Sequence, residues 1–137
     1  MIQGVGATRT LLAKESGALC LFDVATGVVY TLPTPVEGMK FEFLATVAVT
    51  SNAYKVITAA ITLQFLLGAV NSTKLAAGTD IFQADGTSNH VAISSNGSTT
   101  GGLIGSAFTL TAISATQWVI AGSLVGSGTL ADPFAAS

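Results

Sequence analysis

Charge is what this sequence has least of. Of its 137 residues, 5 are Lys or Arg and 7 are Asp or Glu, so 9% are charged, against about 25% in typical soluble domains. A net charge of −2 supplies no field to steer nucleic acid or an anionic membrane toward the chain. From Gly86 to Ala131 there is no Asp, Glu, Lys or Arg. Acid–base chemistry from that third of the chain would rest on His90, the single histidine. Cys20 is the sole cysteine, which excludes an intrachain disulfide and a zinc cluster. Within Leu19-Cys20-Leu21-Phe22 it reads as a small buried hydrophobe. The start, MIQGVGATRT, has no apolar core of signal-peptide length. The Asn-x-Ser/Thr triplets at Asn71 and Asn96 are therefore expected to stay unglycosylated.

Helix signals are scarce too. No capped segment carries a 3.6-residue apolar stripe, and Ala76-Ala77-Gly78 could form one helical turn at most. What the chain has instead is Ala, Val, Leu and Ile diluted by Gly, Ser and Thr. Half of it is hydrophobic, enough for a core in one domain of this length. So little charge offers weak mutual repulsion in free solution and suits a chain packed against copies of itself or on a larger surface.

Period-two alternation is the dominant pattern. Leu19–Phe22 reads as a strand, 23–27 as a hairpin loop with Gly27 at positive φ, and Val28–Leu32 as the return strand. Pro33 and Pro35 end it, because neither can donate to a ladder. After Gly38, residues Met39, Phe41, Phe43, Ala45, Val47 and Val49 share one face, of which Met39, Phe41 and Phe43 are assigned to the core. Glu37, Lys40 and Glu42, with Lys55 further on, are assigned to a wet face. Tyr54–Thr58 is the next strand. The uncharged stretch VITAAITLQFLLGAVNST approaches the ~20 residues that span a bilayer. Its Thr, Gln and Asn content, with Ile61, Leu63, Phe65 and Leu67 alternating against Thr62, Gln64 and Leu66, favours a strand instead. Asp80–Gln83 and His90–Ser94 follow, with Asp85-Gly86 a turn. Residues 95–102, SNGSTTGG, read as a flexible polar loop. Phe108–Ile113 and Gln117–Ala121 form a final hairpin.

Eight to ten short strands of this kind predict an all-β, antiparallel β-sandwich, jelly-roll-like. The boundaries are a single domain over 1–137, with an extended N-terminal arm over 1–15, the sandwich over 16–122 and a C-terminal arm over 123–137.

Motifs for chemistry are sparse. Ser residues are plentiful, but none sits in a Gly-x-Ser-x-Gly elbow. Asp80 and Asp85 flank a short strand and a turn, where Asp commonly serves local hydrogen bonding. No Asp-rich loop would hold calcium, and SNGSTTGG lacks the lysine and following helix of a phosphate cradle. The expectation is no enzyme, no catalytic residue, no cofactor and no metal. Tyr54 and Trp118, beside the SNGSTTGG loop, could stack on a sugar. They carry the alternative that the chain is a receptor- or carbohydrate-binding module of a phage head or tail fibre.

The segment TRTLLAKESGALCLFDVATGVVYTLPTPVEGMKFEF, the middle TSNAYKVITAA and the ending NHVAISSNGSTTGGLIGSAFTLTAISATQWVIAGSLVGSGTLADPFA occur in an order that resembles small structural proteins of tailed bacteriophages. The phrases TLPxPxxGxxFxF and WVIAGSLVGSGT carry most of the weight. The family is that of the head decoration, or cement, proteins. The resemblance implies a dimer or trimer on the outer surface of the virion, made in the host cytoplasm and bound to the major capsid protein. It would reinforce the shell, with no nucleic acid or membrane partner. Flexible glycine-rich arms can order on binding, which makes Leu124, Val125, Leu130 and Phe134 of the C-terminal arm the candidate contacts with the shell or with other copies.

Overall fold

Alternation becomes structure most plainly at Lys40–Ala45, where burial switches residue by residue. In the computed structural model, which describes residues 1–4, 8–74 and 77–137, Phe41, Phe43 and Ala45 are buried while Lys40 and Glu42 face solvent. The same logic gives eleven strands among the described residues: β1 Thr8–Thr10, β2 Leu19–Phe22, β3 Val28–Thr31, β4 Lys40–Ala45, β5 Tyr54–Ile57, β6 Phe65–Lys74, β7 Thr79–Asp85, β8 Ala92–Ser95, β9 Ala107–Ala112, β10 Gln117–Gly126 and β11 Phe134–Ala135. A 3-10 turn at Ala13–Glu15 is the sole helical element among them. The possible helical turn at 76–78 begins outside the described residues.

Two sheets pack face to face. One has the order β1-β3-β5-β8-β11 and the other β2-β4-β9-β10-β6-β7. The all-β sandwich is therefore as expected, but its wiring is not antiparallel throughout. Four of the nine strand pairings are parallel: β1 with β3, β3 with β5, β2 with β4, and β6 with β10. From β1 to β5 the chain crosses to the facing sheet at every connection, so each parallel neighbour is reached through a strand of the other layer. A jelly roll is built of antiparallel Greek keys, and this winding is not one. The 23–27 turn, with Gly27 at φ +100°, thus joins two sheets rather than closing a hairpin. Five extended residues reach ~16 Å, more than the ~10 Å between packed sheets.

Between the sheets lies an aromatic cluster. Phe22 stacks on Tyr54 with centroids 4.7 Å apart, and Phe43 stacks on Phe108 at 5.1 Å. Tyr30 packs tilted against both Phe22 and Phe43. The buried Tyr30 hydroxyl donates to the Leu21 carbonyl at 2.7 Å, which satisfies its polar end without solvent. Trp118, fully buried, lies against Phe41 at the far end of the cluster.

The described residues of both expected arms are tied into the sheets, residues 5–7 of the first lying outside them. The Ile2 N–H donates to the Leu19 carbonyl and the Leu21 N–H to the Ile2 carbonyl, at 2.8 and 2.7 Å. Leu11 is buried, its N–H bonded to the Thr31 carbonyl. At the other end β10 continues to Gly126, and β11 adds an antiparallel edge to β8. Gly and Ser give these segments their flexible composition, but scattered apolar residues anchor them: Ile2, Leu11, Leu124, Leu130 and Phe134 are all buried.

The strand expected over the alternating residues Ile61–Leu67 begins only at Phe65. Ile61 and Leu63 belong to a turn and are exposed, whereas Gln64 and Leu66 are buried. The strand that starts at Phe65 turns Leu66, Val70 and Ser72 inward. The alternation placed before Phe65 was a run of turn residues with a strand-like spacing.

Candidate functional site

The sequence-derived chemical candidates separate in space. Asp80 and Asp85 lie five positions apart on β7, which puts their side chains on opposite faces of the sheet and their Cα atoms ~17 Å apart. That is too far for a carboxylate pair to share one glycosidic bond. Asp85 instead organises its own turn. Its Oδ1 accepts from the Thr87 Oγ1 and N–H groups at 2.7 and 3.1 Å and lies 2.7 Å from His90 Nδ1. The Thr87 hydroxyl, then His90 and the Thr87 N–H, hold the Asp85 carboxyl below its usual pKa. The hydroxyl and the imidazole each bond to the carboxylate rather than to one another, so the arrangement activates no nucleophile. His90 meets the Phe134 ring edge-on at 5.8 Å. The cluster ties the β7–β8 connection to β11.

Tyr54 and Trp118 do not offer ring faces to a ligand. Tyr54 is buried in the aromatic cluster with its hydroxyl donating to the Val47 carbonyl at 2.8 Å. Trp118 is buried on the inner face of β10, and its Nε1–H has no hydrogen-bond partner. Of the four C-terminal contact candidates, Leu124, Leu130 and Phe134 are buried, and Val125 is partly exposed. Leu124, Leu130 and Phe134 thus belong to the core of this chain, and Val125 alone of the four keeps part of its side chain at the surface.

The SNGSTTGG segment is also not loose. Asn96 Oδ1 accepts from the Ser98 and Thr100 N–H groups, and its Nδ2 donates to Thr99 Oγ1. Gly97 sits at φ +83° with the Val49 carbonyl where a β-carbon would be, so only glycine lets the loop pack there.

What remains open to a partner is surface. The outward face of the six-stranded sheet is built from cross-strand rows. One runs Leu19, Glu42, Thr109, Ala121, Ala69 and Gln83; the next runs Lys40, Thr111, Val119, Leu67 and Asp85. Lys40 and Glu42 on β4 and Asp85 on β7 flank a centre of uncharged residues on β9, β10 and β6. A shallow recess of about 340 Å³ marks the face between Leu19, Glu42, Thr109 and Gly122. Lys55 stands on β5 in the other sheet beside a second shallow recess of about 480 Å³. The expected single wet face is therefore two faces: Lys40 and Glu42 on one side of the sandwich, Lys55 on the other.

The chain has no counterpart among family models, characterised proteins or solved structures. Among the described residues no group of three or more His, Cys, Asp and Glu could hold a metal, and no helix is long and apolar enough to cross a membrane.

Cys20 is fully buried on β2. Burial pushes its thiol from 9.0 up to about 12 and raises the Tyr30 phenol as well. A group whose folded pKa is raised favours the fold only while it stays protonated in the unfolded chain. Stability is therefore full below pH about 9 and declines as pH rises toward 12. Urea midpoints at pH 8 and 10.5 should show that decline, and Cys20→Ala should remove part of the slope. Equal slopes in the two proteins would exclude Cys20 as its source.

Proposed function

We propose that the chain is a virion structural protein. It is a cement subunit on the outer surface of a tailed-phage capsid, made in the host cytoplasm, where it binds the major capsid protein and forms a dimer or trimer. The observation that carries this reading is the outward face of the six-stranded sheet. Between Lys40 and Glu42 on β4 and Asp85 on β7, Thr109, Thr111, Val119, Ala121, Leu67 and Ala69 make an uncharged stretch across β9, β10 and β6. Flat protein partners meet such a face with little desolvation cost, whereas a small ligand needs a concave site with convergent polar groups. Repetition on a lattice would add avidity that one contact of this kind lacks. The carbohydrate-binding alternative loses the two rings it relied on, since Tyr54 and Trp118 are buried.

Capsids assembled without this protein, from the virus that carries its gene, provide the test. The purified chain should cosediment with them to a fixed stoichiometry and raise the temperature at which they rupture. Capsids that neither bind it nor gain stability would overturn the reading.

A further inference from the structure

The outer strands of a sheet carry backbone groups with no ladder partner, and natural edges are kept short, covered or guarded by proline and lysine. Three of the four edges here follow that rule. β11 spans two residues and β1 three. β2 is covered by Ile2, which bonds to Leu19 and Leu21 along its outer side. The fourth, β7, runs for seven residues and among the described residues pairs with β6 alone. Its sequence, TDIFQAD, has neither proline nor lysine.

The ladder fixes which groups point outward. At the two ends of β7 the Lys74 N–H donates to the Gly78 carbonyl at 3.0 Å and the Gly86 N–H to the Leu66 carbonyl at 2.9 Å. Antiparallel pairs alternate, so even-numbered residues of β7 bond to β6 and odd-numbered ones turn their N–H and carbonyl groups off the sheet. Asp85 follows the rule, with its N–H directed at His90 Nδ1 3.3 Å away, and so closes one end of the edge. Thr79, Ile81 and Gln83 remain, and among the described residues no group pairs with their backbone. All three are exposed, and Ile81, a large aliphatic in the middle of the open ladder, is 70% exposed.

The strand is complementary to itself in one register. Antiparallel pairing about a two-fold axis at Ile81 sets Ile81 against Ile81 of a second copy, Thr79 against Gln83 and Asp80 against Phe82. Every outward N–H of Thr79, Ile81 and Gln83 then meets an outward carbonyl. Moving the axis to Asp80 sets two carboxylates face to face, which is unfavourable. Moving it to Phe82 pairs Thr79 with Asp85, whose N–H is already turned to His90. Opposed residues of an antiparallel pair lie on the same face, so the outward faces of both six-stranded sheets would continue as one.

We infer that β7 is a dimer contact, through which two copies of this chain join antiparallel about Ile81 into one continuous sheet. Backbone bonds along one narrow edge suit reversible pairing rather than a large obligate interface. The virion reading leaves the dimer contact unassigned, and the inference rests on that reading for the dimer alone and needs no capsid.

The experiment is sedimentation of the purified full chain over a range of concentrations. The wild type should show a monomer–dimer equilibrium. Ile81→Pro removes the central N–H and should weaken dimerisation about tenfold or more, since the symmetry counts the loss twice. Proline is tolerated on an edge whose N–H faces solvent, so its melting point should stay near that of the wild type. Ile81→Lys and Ile81→Glu serve if the proline variant fails to fold. Each sets like charges opposite one another and should stay monomeric, and an equimolar mixture of the two should pair. A monomeric or trimeric wild type overturns the inference, because a two-fold edge contact closes at two. So does a folded Ile81→Pro protein that dimerises like the wild type, or a pair of charge variants that stay apart when mixed. A monomer that still binds capsids sinks this contact and keeps the virion reading. A β7 dimer that ignores capsids does the reverse.

Discussion

Trp118→Ala should lower stability by about 3–5 kcal/mol, the usual cost of truncating a large core aromatic. Trp118 is fully buried, pairs across the sheet with Leu66 and Ala112, and packs against Phe41. Removing the indole leaves a cavity between two sheets whose strands are fixed by ladders on both sides, so the walls can collapse little. A fold with the ordinary ~5–15 kcal/mol of stability would survive only marginally. The Nε1–H gives a second handle. It is buried without a partner, so Trp118→Phe removes an unsatisfied donor and should cost less than the lost ring area alone would suggest. Chemical denaturation of the three proteins checks both statements. A Trp118→Ala protein with near-native stability that had lost a measurable glycan affinity would instead place the ring at a ligand.

Trp118 also shows what was legible in the sequence. Its strand is legible in the run Gln117–Ala121, where Trp118, Val119 and Ile120 are strand formers. Alternation likewise placed Phe41 and Phe43 in the core and Lys40 and Glu42 outside, as observed. Alternation reports that one face is dry; it does not report which sheet a strand joins. The 23–27 turn therefore looked like a hairpin, yet it carries the chain between layers. Parallel pairing was hidden for the same reason, since the parallel partner is supplied by residues distant in sequence. Aromatic residues near a polar loop suggested a sugar platform, but side-chain type carries no direction, and Tyr54 and Trp118 both turn inward. The outward turn of Ile61 and Leu63 is not legible because both fit a strand pattern. The available signal was Gln64, a polar residue whose amide braces the turn from inside.

The same limit of composition applies to the C-terminus, where the structure predicts a second large loss. A chain ending at Val125 should be destabilised by on the order of 5 kcal/mol, from the burial of two large apolar side chains and several hydrogen bonds. Leu130 and Phe134 would leave the core. Pairing of Phe134 with Ile93 and of Ala135 with Ala92 would go. So would the bonds from Ser127 to the Ser98 carbonyl and from Ala131 to the Thr99 carbonyl, which hold the SNGSTTGG loop. The buried β8 residues Ala92 and Ile93 would then border an open sheet edge, a known route to aggregation. At roughly 3–5 °C per kcal/mol for a domain of this size, the melting point should drop by about 15 °C or more. Phe134→Ala in the full chain should reproduce part of that drop, because it removes the ring that meets His90 while leaving the backbone in place. A truncated chain that melts with the full-length protein but fails to bind capsids would restore the tail as a docking arm. A truncated chain that aggregates or unfolds assigns these residues to the sandwich.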